Sequence, residues 1–299
     1  MANKTVPPFF VTTLPIGTIG DLLTGCAAML ESEGIEDGQR EARDIIAAVL
    51  DVPRFWAVAN SVADASPDVA RAVISAAMKR ARGAPLAYAV GRASFRHLTL
   101  DVDERVLIPR VETEVLVERV LERCSSRTRS IADIGTGSGA IALSLAFEGD
   151  FDVVFATDIS LDALAVASAN GATFADALKS PVEFRHGSLL APLRGERLDA
   201  IVCNPPYISF AEVPQLPPDV RDWEPSLALL CPQDGLSVTR ELVRQAPDLL
   251  TPGGMLALEV DTRRAGSVAE SIAVDGRYDG IEVLLDLTGR ERFVFARRT

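Results

Sequence analysis

The sequence predicts an α/β fold with a mostly parallel, Rossmann-like sheet, preceded by a small helical bundle. From residue 130 onward, short apolar runs alternate with stretches of helical spacing. Alternation of strands and helices builds a parallel sheet that is covered on both faces. The last two apolar runs are joined by Thr288-Gly289, which predicts an antiparallel hairpin at the sheet edge.

The individual elements follow from these patterns. Five parallel strands are predicted at Ser130–Ile134, Val153–Asp158, Val182–His186, Asp199–Val202 and Met255–Val260. Helices are predicted between them, at about residues 139–148, 161–178 and 235–250. The closing hairpin pairs Ile281–Leu287 with Arg292–Ala296.

The first third of the chain has a different pattern. Apolar residues recur at helical spacing from Ile19 to Leu30 and from Ala42 to Leu50, and Ser66-Pro67 begins a third helix that runs to about Arg82. Leu98, Leu100 and Val102 then alternate with polar residues, as in a half-buried strand. We therefore predict four segments: a flexible arm (1–15), a helical domain (16–83), a hairpin linker (84–110) and an α/β catalytic domain (111–299).

Composition narrows the class of protein. The net charge is −12 and the pI about 4.8, which argues against a stand-alone nucleic-acid-binding enzyme. A basic cluster before the α/β domain is interpreted either as a solvated helix end or as a contact surface for an acidic partner or RNA; it comprises Lys79, Arg80, Arg82, Arg92 and Arg96.

Metal binding and secretion are not expected. The four cysteines form no CxxC pair and there are only two histidines, so no metal site is predicted and the thiols are expected to be reduced. Neither a signal peptide nor a stretch long enough to span a membrane is visible, so we expect a cytoplasmic protein.

A glycine-rich loop follows the first predicted strand. Its GxGxG spacing differs from the GxGxxG of dinucleotide binders, and no Lys-Ser/Thr follows, as a phosphate loop would need. Asp158, nineteen residues beyond Gly139, ends the second strand, where an acid can bind the ribose hydroxyls of an adenosine cofactor. The alternative is a helix cap, for which Ser160 is better placed. The predicted cofactor-binding residues are Gly135, Thr136, Gly137, Ser138, Gly139 and Asp158.

The tetrapeptide Asn204-Pro205-Pro206-Tyr207 follows the fourth predicted strand, at the edge that faces the ligand crevice. Its prolines fix the backbone and leave carbonyl groups free to accept hydrogen bonds. The Asn204 side-chain oxygen and the Pro205 carbonyl can each accept one hydrogen of an NH₂ group, and Tyr207 offers a flat face for stacking. Two such acceptors favour a pyramidal, more nucleophilic nitrogen. With an adenosine site upstream, they predict an S-adenosylmethionine-dependent N-methyltransferase; the alternative is a rigid turn.

These motifs resemble those of the HemK/PrmC family, the release factor glutamine methyltransferases, and the sheet with its closing hairpin resembles class I methyltransferases. The resemblance covers about residues 16–299, and its motifs are Leu107–Glu114, Gly135–Gly139, Asn204–Tyr207, Asp234–Leu236 and Pro252–Gly254. It implies methyl transfer from S-adenosylmethionine to the N5 amide of the glutamine in the Gly-Gly-Gln loop of peptide chain release factors, with S-adenosylhomocysteine as co-product. It also implies that the helical domain recognises the substrate.

Carried over residue by residue, the resemblance makes Asn204, Pro205 and Tyr207 catalytic, with Ser188, Leu189 and Asn204 also at the cofactor. Substrate binding is implied for Phe95, Arg110, Glu112, Asn204, Pro205, Pro206 and Tyr207. The implied partner is a release factor. We expect the protein to be a monomer that binds neither a membrane nor a specific nucleic-acid sequence.

Four positions depart from the family pattern: Arg96 where an aromatic is common, Val111 where Pro is usual, Ser188 where an acid is expected, and Asp261 where Gly is favoured after Glu259-Val260. They leave open a paralogue that methylates another amide or amine. A DNA adenine-N6 methyltransferase shares the tetrapeptide logic but fits the acidic charge less well. A non-catalytic binding module is a further alternative, but it would not need the two hydrogen-bond acceptors of the tetrapeptide.

Overall fold

The computed structural model describes residues 17–299, so the predicted arm at 1–15 lies outside the described residues. The chain forms two compact units, and the boundary between them follows Arg92, inside the segment predicted as a linker.

The N-terminal unit is helical. It contains α1 (Ile19–Ser32), α2 (Gly38–Leu50), α3 (Trp56–Ala59), α4 (Pro67–Ala81) and α5 (Leu86–Val90). The three predicted helices correspond to α1, α2 and α4, which enclose a core that includes Leu22, Leu30, Ile45, Ile46 and Val73. Helix α4 begins as its sequence predicts, because the Ser66 side chain accepts from the Val69 N–H and Pro67 occupies the first turn. Helix α5 occupies residues where a linker hairpin was expected.

Arg80, a member of the basic cluster, forms an ion pair within this unit. The Arg80 guanidinium donates to both carboxylate oxygens of Glu41, with N–O distances of 2.5 and 3.1 Å, and thereby joins α4 to α2. The ion pair with Glu41 therefore accounts for the positively charged residue at position 80.

The C-terminal unit begins within β1 (Arg92–Phe95), which forms a hairpin with β2 (Leu98–Asp101) and is followed by α6 (Val111–Arg123). The hairpin turn is held by Arg96, which adopts a φ of 50° and donates to Glu148 and to the Glu114 carbonyl. Arg96, a second member of the basic cluster, is therefore also in an ion pair.

The remainder alternates as predicted through β3 (Ser130–Ile134), α7 (Ala140–Glu148), β4 (Val153–Asp158), α8 (Leu161–Thr173), β5 (Val182–His186) and β6 (Leu198–Cys203). After β6 come α9 (Pro218–Trp223), α10 (Ser226–Leu229), α11 (Ser237–Gln245), β7 (Leu250–Glu259), α12 (Ala265–Asp275), β8 (Tyr278–Leu285) and β9 (Glu291–Arg298).

The seven strands from β3 onward form one sheet in the order β5-β4-β3-β6-β7-β9-β8. All pairs are parallel except those of β9, which runs antiparallel to both β7 and β8. One face is covered by α6 and α7 and the other by α11 and α12, each over an apolar cluster. The predicted α/β fold with a C-terminal antiparallel hairpin is confirmed.

Two helices differ from their predicted extent. Helix α8 ends at Thr173 rather than near residue 178, and the helix predicted at 235–250 is cut by Pro247, after which β7 begins at Leu250. Helix α12 was not predicted, because Val268 and Ile272 are its only large buried side chains and its other buried residue is Ala265. Within residues 17–299, no helix combines the length and apolarity that crossing a membrane requires.

Candidate active site

The site is a cleft of about 660 Å³ at the carboxyl ends of β3, β4 and β6. Parallel strands bring loops from distant parts of the sequence together at this edge. Eight of the predicted site residues line the cleft: Gly135, Gly137, Asp158, Ser188, Leu189, Asn204, Pro205 and Pro206.

The glycine loop is held by the neighbouring strand. The N–H groups of Gly135 and Thr136 both donate to the Thr157 carbonyl at 2.8 Å. Gly135 and Gly137 have φ values of 75° and 57°, and a Cβ at either position would meet no atom within 4 Å. The loop therefore presents open backbone to the cleft, which a ligand could approach closely.

Asp158 joins the end of β4 to this loop. One carboxylate oxygen accepts from the Gly137 N–H at 3.0 Å, and the other accepts from the Ser160 N–H at 2.8 Å. The cap of α8 is Ser160 itself, whose hydroxyl accepts from the Ala163 N–H. Asp158 therefore does not cap α8. Each of its carboxylate oxygens retains a lone pair that can accept a hydrogen bond from a donor in the cleft.

Asp133 was not predicted as a site residue. It lies on β3 and accepts hydrogen bonds from the glycine loop and from α7, which follows the loop. Its buried carboxylate accepts from the Thr136 hydroxyl at 2.7 Å and from the Ala142 N–H at 3.1 Å, and burial raises its pKa to about 7. Thr136 and Ser138 are buried, and neither they nor Gly139 line the cleft. The available signal was an acid on the first predicted strand, two residues before Gly135.

The tetrapeptide also lines the cleft, through Asn204, Pro205 and Pro206. The Asn204 side-chain nitrogen donates to the Thr113 hydroxyl at 3.2 Å, and among the described residues no protein group donates to its side-chain oxygen. Tyr207 is half-buried, and burial together with the field of Glu259 raises its pKa to about 12, so its hydroxyl is neutral at pH 7. Tyr207 does not line the cleft as the two prolines do.

Besides Tyr207, three predicted substrate-binding residues lie outside the cleft lining. Phe95 is fully buried in the cluster beneath α6 and α7. Arg110 forms an ion pair with Glu224 at 2.5 Å, and Glu112, half-buried on the first turn of α6, raises the pKa of Glu259.

Several lining residues carried no sequence signal strong enough to single them out. Arg105 and Val106 contribute from the segment before α6, next to Leu107 of the Leu107–Glu114 motif. Ile159, Phe210 and Leu227 also line the cleft, and more than half of each side chain is exposed. Only Ile159, adjacent to Asp158, could have been inferred from its position.

The cleft holds no candidate metal site: across residues 17–299, His, Cys, Asp and Glu form no cluster of three that could bind an ion. All four cysteines are free thiols.

Comparison with known proteins decides the family. The model "PrmC N-terminal domain" matches residues 21–91, and "Methyltransferase small domain" matches residues 108–215. The release factor glutamine methyltransferase of Moorella thermoacetica is 43% identical over 94% of this chain and 99% of its own length. That of Deinococcus radiodurans is 38% identical over 93% of this chain and 98% of its own. The chain belongs to the release factor glutamine methyltransferase family.

A solved structure shares the fold of this chain. The hMettl16 catalytic domain superposes with a TM-score of 0.56 at 16% identity, covering 85% of this chain and 91% of that one. At that identity the likeness concerns the fold alone.

The four departures from the family pattern differ in their relation to the cleft. Ser188 lines it, whereas Val111 is an exposed residue at the start of α6. Arg96 holds the β1–β2 turn through Glu148. Asp261 forms ion pairs with Arg263 and Arg264 at 2.9 and 3.3 Å. Of the four, Ser188 alone lies where it could contact a cofactor.

Proposed function

We propose that this protein transfers a methyl group from S-adenosylmethionine to the side-chain amide nitrogen of the glutamine in the Gly-Gly-Gln loop of peptide chain release factors. The observation that carries the proposal is the orientation of Asn204: its nitrogen is engaged by Thr113, so its oxygen remains available beside Pro205 in the cleft. Two full-length relatives named for this reaction support the choice of substrate.

The residues present fit the cofactor. Open backbone at Gly135 and Gly137 can accept a ligand in close contact, and the lone pairs of Asp158 can bind two ribose hydroxyls. Ser188 and Leu189 line the same cleft. When bound, S-adenosylmethionine supplies an electrophilic methyl group on a sulfonium.

The chain's own residues prepare the nucleophile. An amide nitrogen is a weak nucleophile because its lone pair is delocalised into the carbonyl group. Asn204 Oδ1 and the Pro205 carbonyl would each accept one of its hydrogens, which orients the nitrogen and favours a less delocalised lone pair. Tyr207, a neutral phenol next to Pro206 that does not itself line the cleft, would not act as a base.

We assign substrate recognition to the helical segment 16–83 and the chemistry to segment 111–299. The match of residues 21–91 to the PrmC N-terminal domain supports this division.

The test is transfer of an isotopically labelled methyl group to purified release factors, read by mass spectrometry of the Gly-Gly-Gln peptide. We expect one methyl group on the glutamine, and none when that glutamine is replaced by alanine. Methylation elsewhere on the factor, or of a different amide or amine only, would identify a paralogue, and efficient methylation of duplex DNA would favour the adenine-N6 reaction.

A further inference from the structure

A chain of two hydrogen bonds runs behind the amide clamp. Asn204, directly after β6, donates from Nδ2 to the Thr113 hydroxyl at 3.2 Å. That hydroxyl, on the first turn of α6, donates to Glu259 Oε2 at the end of β7, at 2.7 Å. Thr113 and Glu259 are 4% and 1% exposed, so neither group can exchange its partner for bulk water.

The donors and acceptors fix one direction along this chain. Above about pH 7, where Glu259 is ionised, its carboxylate can only accept hydrogen bonds, and the Thr113 hydroxyl has one proton to give. Since Thr113 gives its proton to Glu259, its lone pairs must face the NH₂ group of Asn204. Rotating the Asn204 amide by 180° would place its oxygen against the Thr113 oxygen, with two acceptors facing each other.

We propose that Thr113 and Glu259 are positioning residues that set the orientation of the Asn204 amide and so keep Oδ1 available to the substrate nitrogen. The inference rests on the proposed function, in which Oδ1 is one of the two acceptors of the clamp. Neither residue lines the cleft; both act through Asn204.

A purely structural role is the alternative, since the same bonds join α6 to the sheet. The two roles differ in what a second mutation does. If Thr113 acts through Asn204, removing its hydroxyl matters only while the Asn204 amide is present. A structural tie would matter equally with or without that amide.

The first experiment is a double-mutant cycle on methyl transfer to a release factor. We expect Thr113→Val to lower kcat about 10- to 100-fold with the dissociation constant of S-adenosylmethionine unchanged, the range found for groups that orient a site residue. Thr113→Ser, which keeps the hydroxyl, should stay within about threefold of wild type, and Thr113→Val in an Asn204→Ala background should cost less than about twofold. An equal loss in both backgrounds overturns the proposal.

Thr239→Val is a matched control, because Thr239 is also a buried helical threonine but lies on α11. Its kcat should be unchanged, and melting temperatures of all variants identify any loss due to unfolding.

A second experiment does not depend on the substrate. The side-chain amide of Asn204 is assigned in ¹⁵N-labelled protein by its absence in Asn204→Ala. We expect Thr113→Val to shift this resonance and Thr113→Ser to preserve it. An unshifted resonance in Thr113→Val refutes the positioning role, whereas absent release-factor methylation by the wild type with the shift present refutes only the proposed function.

Discussion

The Arg110 guanidinium lies 2.5 Å from Glu224 Oε1, across 114 residues of sequence. The same carboxylate accepts from the Ile108 N–H at 3.4 Å, so the segment before α6 is joined to the loop after α9. The residues that follow Glu224, from Pro225 to Ala228, line the cleft, and so does Leu107. Arg110 thus acts on the cleft wall through Glu224 rather than by lining it.

Arg110→Ala should destabilise the protein by about 3 kcal/mol, because the Glu224 side chain is only 1% exposed and would lose its charged partner. Urea denaturation of Arg110→Ala and of Arg110→Ala/Glu224→Gln measures the effect. The double variant should recover part of the loss, since its residue 224 carries no charge. A change below about 0.5 kcal/mol in the single variant would show that the pair contributes no more than a surface ion pair.

Asn204→Ala should lower the rate of methyl transfer by about 10²- to 10³-fold, because one of the two acceptors of the clamp disappears. Binding of S-adenosylmethionine should largely survive, since Asp158 and the glycine loop are untouched. Single-turnover transfer and calorimetric titration with the cofactor separate the two effects. A wild-type rate in this variant would contradict the clamp.

Asp158→Ala should weaken cofactor binding by about 10- to 100-fold, because it removes charge-assisted hydrogen bonds and leaves the Gly137 N–H without its acceptor. Asp176→Ala is the matched control: Asp176 is exposed beyond the end of α8 and does not line the cleft. Calorimetric titration with S-adenosylhomocysteine gives both dissociation constants. Equal affinities in the two variants would remove Asp158 from the cofactor site.

Gly235→Ala should impair both folding and transfer. Gly235 has a φ of 82°, and a Cβ there would overlap the Tyr207 carbonyl oxygen and the Arg264 guanidinium. We expect a loss of about 2 kcal/mol from left-handed backbone strain and overlap, and a fall in kcat as Tyr207 shifts. Gly266→Ala, on α12 with no atom within 4 Å of the added Cβ, should leave transfer unchanged. Melting temperatures and kcat are measured for both variants. If the two variants lose stability and kcat equally, the contact with Tyr207 is not the cause of the loss in Gly235→Ala.

Features that depend on residues close together in the sequence could be predicted, and features that depend on residues far apart in the sequence could not. The strands Ser130–Ile134, Val153–Asp158 and Val182–His186 were predicted at their observed bounds, because each is a local run of strand-forming residues beside a turn signal. The loop and tetrapeptide were found for the same reason: their residues are contiguous.

Features that depend on packing between distant segments were missed. Thr113 is 91 residues from Asn204 and 146 from Glu259, and no local pattern indicates that three separate strand and helix ends meet. Phe95 shows the converse. The family resemblance implied a substrate-binding role for Phe95, and the fold places its side chain within the core.

Glu259 also makes stability depend on pH. Burial raises the pKa of its carboxyl from 4.5 to about 7, against the opposing effects of the Thr113 hydrogen bond and the Arg292 charge. Glu112 and Arg110, at the start of α6, act on it in opposite directions. In the unfolded chain the carboxyl ionises near pH 4.5, whereas in the folded protein it holds its proton until about pH 7. The unfolded state therefore binds fewer protons in this window, and stability falls as the pH rises.

Glu259→Gln should remove this contribution, since an amide does not titrate. Between about pH 4.5 and pH 8, the free energy of unfolding of the wild type should fall by about 3 kcal/mol more than that of Glu259→Gln. Asp133, whose pKa is also raised to about 7, is present in both proteins, so its contribution cancels in the difference. Urea denaturation of both proteins at the two pH values gives the four free energies needed. Parallel pH profiles would mean that Glu259 ionises in the folded protein as it does in the unfolded chain, and that burial imposes no net cost on its charge.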